Sequence, residues 1–125
     1  MARGTALVAA ALTVALAATA SGCADDSAPT RARDGRVDVT LDDFLIRPQR
    51  IRARPGRLEF RVSNEGKVAH AFRVLRGARE VVAVKTLRPG ATGRGSGAFT
   101  RGDYKMVCIL GNHEELGMYG TLAVR

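Results

Sequence analysis

From Arg36 to the end of the chain, apolar and polar residues alternate in short runs. Val37, Val39 and Leu41 alternate with Arg36, Asp38 and Thr40, and Leu58, Phe60 and Val62 alternate with Arg57, Glu59 and Arg61. A period of two sends successive side chains to opposite faces of an extended chain, so each run reads as a half-buried strand. No part of this region has a helical period. Phe44 and Ile46 continue the inward face of the first run until Pro48 breaks it, and Ile51 and Ala53 form a short strand before the Pro55-Gly56 turn. Asn64 to Lys67 reads as a turn, Val68 to Leu75 and Val81 to Leu87 as strands, and Arg88 to Gly90 with Gly93 to Gly97 as loops. Tyr104 to Ile109 and Thr121 to Arg125 complete the series. Seven to eight short strands separated by regular turn signals predict an all-β sandwich or barrel. Aromatic residues are only 5% of the chain, so its core must be built mainly from Val, Leu, Ile, Phe and Ala.

The first 35 residues have a different texture. Arg3 followed by the small apolar run Ala6 to Ala18 has the pattern and length of a secretory signal, and the run is too short to span a bilayer. Ala20-Ser21-Gly22-Cys23 resembles a bacterial lipobox, which implies cleavage before Cys23 and a lipid on its sulfur. Residues 1–22 are therefore read as a lipoprotein-type signal peptide, 23–35 as a flexible polar tether and 36–125 as the folded domain. The expected location is the outer face of the cell membrane or the periplasm. A disulfide between Cys23 and Cys108 is not expected, because each cysteine has its own context.

The formal charge of the chain is +8, and removal of residues 1–22 takes away one base and no acid, leaving +7. Seventeen of the twenty bases are arginine. They are spread along the sequence with no nucleic-acid motif, which excludes that class of partner. The charge points instead to anionic lipid head groups or an acidic protein.

One short stretch carries chemistry. Cys108, His113 and Met118 are separated by four residues each, and the only other histidine is His70. Parity puts His70 with Phe72 and Val74 on an inward face, and Cys108 with Tyr104 and Met106 on another. Gly111, Gly117 and Gly120 give the intervening segment the freedom to curl. Singly, these residues have ordinary uses: a histidine bonded to a carbonyl, an inert buried thiol, a gap-filling methionine. Together, a thiol, two imidazoles and a thioether are the donor set of a blue-copper site.

The run from Tyr104 to Val124, with Cys108, His113 and Met118 at these spacings, resembles the C-terminal ligand loop of the cupredoxins. Its intervals are similar to those of the rusticyanin and sulfocyanin branches and longer than the plastocyanin loop. Asn64 to Phe72 resembles the segment that carries the family's first histidine, and Val37 to Pro48 its first strand. The resemblance implies a cupredoxin-like Greek-key β-sandwich with one type 1 copper ion. His70, Cys108 and His113 would be the strong ligands and Met118 the weak axial one. Two positions depart from the family's usual pattern. Gly111-Asn112 stands where many members have Pro-Gly, and Ala71 stands where an Asn or Ser side chain often holds the thiolate.

Such a site fills its coordination sphere and leaves no position for a substrate, so an enzyme is not expected. The leading expectation is a membrane-tethered, monomeric carrier of single electrons between redox proteins. The alternatives are copper storage, delivery or tolerance, a zinc site, and a metal-free sandwich. His113, on its loop, should approach the surface. Leu110 and Leu116 beside it either form a small docking patch or cap the sandwich, and Glu114 and Glu115 should be solvated.

Overall fold

The computed structural model describes Met1 and residues 28–125. The signal segment, Cys23 and most of the tether lie outside the described residues. The described residues form ten strands: β1 (Thr30–Arg31), β2 (Arg36–Asp42), β3 (Leu45–Arg47), β4 (Arg50–Ala53), β5 (Gly56–Asn64), β6 (His70–Arg76), β7 (Arg79–Leu87), β8 (Thr92–Phe99), β9 (Gly102–Val107) and β10 (Tyr119–Val124). They make a six-stranded sheet in the order β1-β4-β10-β9-β6-β7 and a four-stranded sheet in the order β3-β2-β5-β8. Among the described residues no helix is long and apolar enough to cross a membrane.

Alternation decides which side of each strand is buried. Val37, Val39 and Leu41 from β2, Leu58, Phe60 and Val62 from β5, and Leu122 and Val124 from β10 all enter the core. Phe60 lies against Phe72 and Phe99 with ring centroids 5.6 and 5.9 Å away, at separations suited to offset aromatic packing. At the foot of the sandwich, the Tyr104 hydroxyl donates to the Thr100 carbonyl at 2.9 Å and accepts from the Thr100 N–H at 3.2 Å, pinning the turn into β9.

The structure exceeds the expected strand number and moves several boundaries. Thr30–Arg31, in the stretch read as a tether, pairs in parallel with Ile51 and Arg52 of β4. Val68 and Ile109 lie outside the strands and are exposed, because β6 begins at His70 and β9 ends at Val107. The glycines read as a loop, Gly93 to Gly97, form the middle of β8, paired along their length with β5. Their lack of side chains is what lets β8 lie against β7. A Cβ on Gly95 would stand 2.8 Å from Val82 Cγ1 and 3.1 Å from the Ala83 carbonyl oxygen. Gly95→Ala should therefore lower stability by about 1–3 kcal/mol through overpacking, read as a lower urea midpoint with unchanged slope.

Phe44 is the largest local departure. The inward alternation of β2 stops at a two-residue turn, Asp43-Phe44, between Leu41↔Ile46 and Asp42↔Leu45 pairs on either side. Phe44 takes a φ of 61° there, unusual for a bulky side chain, and is 37% exposed and not in the core.

Candidate metal centre

His70 opens β6, Cys108 follows the last residue of β9, and His113 lies in the turn between β9 and β10. One donor atom from each of the three lies within 4.8 Å of the others. His70 Nδ1 is 3.2 Å from His113 Nδ1, and Cys108 Sγ is 3.5 Å from His113 Nδ1. His70 and Cys108 are fully buried, while His113 is half-buried and brings the cluster to the surface.

Backbone hydrogen bonds shape the segment that returns His113 to Cys108. The His113 N–H donates to the Leu110 carbonyl, the Met118 N–H to the His113 carbonyl, and the Cys108 N–H to the Met118 carbonyl, at 3.1, 3.0 and 3.1 Å. Gly111 and Gly117 take φ of 49° and 107°, values open to glycine at little cost. Gly111-Asn112 thus turns the chain without a proline. Met118 is fully buried immediately before β10, and its backbone is bonded to both Cys108 and His113. Of the four donors expected from the sequence, His70, Cys108 and His113 come together, and Met118 lies buried at the end of the same turn.

Ala71 has no side-chain donor, but its backbone N–H points at Cys108 Sγ at 3.4 Å. The thiol sulfur thus retains one hydrogen bond from β6. Leu110 packs against the core, whereas Leu116 is 52% exposed. Glu115 is exposed, and Glu114 pairs with Lys105.

Asp43 was not visible as a site residue from sequence. Its Oδ1 lies 3.2 Å from His70 Nε2 and accepts the Lys67 N–H at 2.8 Å. Burial pushes this carboxyl up, but the Lys67 N–H, the His70 imidazole and the Val68 N–H outweigh it and hold the group below the ordinary aspartate value. An ionised carboxylate only accepts, so Nε2 of His70 carries the proton. With Nε2 turned to Asp43, Nδ1 is the nitrogen that faces the cluster, the orientation a metal ion requires of a ligating imidazole.

Asn64 and Gly66 hold the same corner. The Asn64 side chain is buried, donates to the carbonyls of Val68 and Leu87 at 2.9 and 2.8 Å, and accepts the Gly66 N–H at 2.9 Å. Sequence parity offered a clue, because Asn64 continues the inward series Leu58, Phe60, Val62. Phe44 covers the outer side, its ring edge-on to His113 with centroids 5.1 Å apart.

Two imidazole nitrogens and one thiol sulfur on a common point suit a soft-to-borderline ion. Among the described residues, no carboxylate, further histidine or second thiol joins the cluster, which therefore lacks the fourth thiolate, imidazole or carboxylate of a structural zinc site. The residues present fit copper.

No protein-family model matches the chain, and no curated protein matches its sequence. Solved structures do match its fold. The auracyanin of Roseiflexus castenholzii superposes with a TM-score of 0.69 at 14% identity, covering 75% of this chain and 99% of that one. Auracyanin B gives a TM-score of 0.68 at 16% identity, covering 78% and 91%. Auracyanin A of Chloroflexus aurantiacus, described as a "blue" copper protein, gives 0.61 at 14% identity, covering 73% and 100%. The chain has the cupredoxin-like β-sandwich fold that these proteins share.

Proposed function

We propose that this protein is an exported, lipid-tethered blue copper protein that carries single electrons between redox proteins. One copper ion would be bound by His70, Cys108 and His113, with Met118 as the weak axial ligand. The observation that carries this reading is the convergence of Cys108 Sγ and the two histidine Nδ1 atoms, on a sandwich similar to that of a protein described as blue copper. When bound, the copper supplies a one-electron couple.

The chain's own part is to hold these donors still. His70 is oriented by Asp43, Cys108 receives the Ala71 N–H, and His113 and Met118 are fixed by the hydrogen bonds of their turn. Donors that move little between oxidation states keep the barrier to electron transfer low, and the half-buried His113 offers the short path to a partner. The signal pattern and Cys23 support export and anchoring.

The test is to add Cu(II) to protein expressed from residue 24, record the visible spectrum, and then run voltammetry. An intense thiolate-to-copper band and a reversible couple are expected. A colourless, weakly binding protein would sink the proposal, and a coloured protein without a reversible couple would mark a copper store or delivery protein. Met118→Leu should keep the colour and raise the potential, since a donor that favours Cu(II) is lost. A large loss of affinity in that variant would show that Met118 is not the axial ligand.

A further inference from the structure

Six of the bases, dispersed in sequence, meet at one place in the fold. Arg31 and Arg33 from the entry of the chain, Arg52 and Arg54 from β4 and its exit, Arg57 from β5 and Arg125 after β10 line a groove of about 940 Å³, with Asp34 as its only acid. All six arginines are exposed. Arg125 is paired with Asp103 and Arg57 donates to Ser96, but among the described residues no carboxylate pairs with Arg31, Arg33, Arg52 or Arg54. Arg31 and Arg52 even stand directly opposite each other between β1 and β4. Like charges in cross-strand positions cost stability unless an anion lies between them.

The groove is at the opposite pole from the metal donors. β2 leaves this end at Arg36 and reaches the Asp43 turn against His70, and β5 leaves it at Gly56 and reaches Asn64 beside the same corner. Strands of this length separate the two poles by roughly 20–30 Å. β1, the first strand of the domain, forms part of the groove wall, so the chain from Cys23 enters here. The few residues between Cys23 and Thr30 reach at most about 25 Å when extended.

From these placements we infer that the arginine groove docks on the phosphate groups of an anionic phospholipid surface. Guanidinium groups bind phosphate oxygens through paired hydrogen bonds, and a two-dimensional array of phosphates can satisfy several arginines at once. Docked in this way, the domain stands with β2 and β5 upright and presents His113 and Leu116 to the aqueous side, where a soluble redox partner can reach them. The surface lies away from the metal donors and its docking does not depend on copper.

Residues 28–125 contain every described strand and the whole described core, and they carry neither Cys23 nor a lipid, so they test the groove alone. The protein should sediment with vesicles rich in phosphatidylglycerol and not with phosphatidylcholine vesicles, and high salt should release it. Reversing Arg33, Arg52 and Arg54 to glutamate should weaken binding roughly a hundredfold, about fivefold for each arginine near an anionic surface. Reversing Arg61, Lys85 and Arg88, which are exposed elsewhere, should leave most of the binding. Equal losses in both triple variants would overturn the inference by showing that only net charge matters. Failure to bind anionic vesicles, with groove-dependent retention on immobilised poly-glutamate, would overturn the lipid assignment and give the groove to an acidic protein.

Discussion

Cys108→Ser is expected to abolish the visible colour expected of the Cu(II)-loaded native protein, while the sandwich stays folded. The two side chains are close in size, and the cysteine is completely buried. A serine hydroxyl there finds partners already in place, the Ala71 N–H and His113 Nδ1. The cost in stability should therefore be modest, about 1–2 kcal/mol for placing a hydrogen-bonded hydroxyl where a thiol stood. What disappears is the one soft anionic donor, and with it any sulfur-to-copper charge transfer. The measurements are the absorption spectrum after Cu(II) addition and far-UV circular dichroism of the same sample. Intense absorption that survives the substitution would mean that the thiolate is not a ligand. Loss of the circular dichroism would show that Cys108 is needed for folding, and the colour would then be tested with His113→Ala, whose side chain is only half-buried.

The second large effect is expected from Gly66→Ala, a residue that touches no metal. Gly66 is buried with ordinary φ, so its requirement is for space, not for backbone freedom. A Cβ at this position would stand 2.4 Å from Asp43 Oδ1 and 2.9 Å from His70 Nε2. Either Asp43 moves and releases the imidazole or the His70 ring moves with it. Loss of a partner that orients a ligating histidine typically costs 10- to 100-fold in metal affinity, and about that loss is expected here. Competition with a chelator of known copper affinity measures it. Asp43→Ala should reproduce the loss. Asp43→Asn should not, because its amide oxygen can still accept from Nε2 and from the Lys67 N–H. Native affinity in Gly66→Ala would show that Asp43 does not hold His70 in its working position.

These two experiments differ in what announced them. Cys108 was legible in the sequence. It shares strand parity with Tyr104 and Met106, and its spacing to His113 and Met118 limits the turn between them. His70 was legible for the same reason, lying in phase with Phe72 and Val74. Gly66 and Asp43 were not. Asp43 is 27 residues from His70 in sequence, and only the pairing of β2 with β5 and the packing of the two sheets bring its carboxylate to Nε2. The alternating pattern ran on to Pro48 and carried no sign of what Asp43 would touch. Phe44 was misplaced because alternation was extended through the Asp43-Phe44 turn, where a positive φ redirects the ring onto His113. The β8 glycines were misplaced because a lack of side chains reads locally as a loop, whereas across the sheets it is what β7 requires.

Sequence by itself determined the all-β class, the inward face of most strands and which three side chains, His70, Cys108 and His113, meet at the candidate site, since each rests on a period or spacing within a short segment. Only the tertiary structure decided how those donors are held and tuned: Asp43 on Nε2, the Ala71 N–H on sulfur, Asn64 and Gly66 at the corner, and Phe44 over the ring. It also collected arginines that the sequence scatters from Arg31 to Arg125 into one pole opposite the metal donors. The physical reason is the same in each case. The local pattern fixes which face of a strand is apolar, but register and sheet packing choose which distant residues meet.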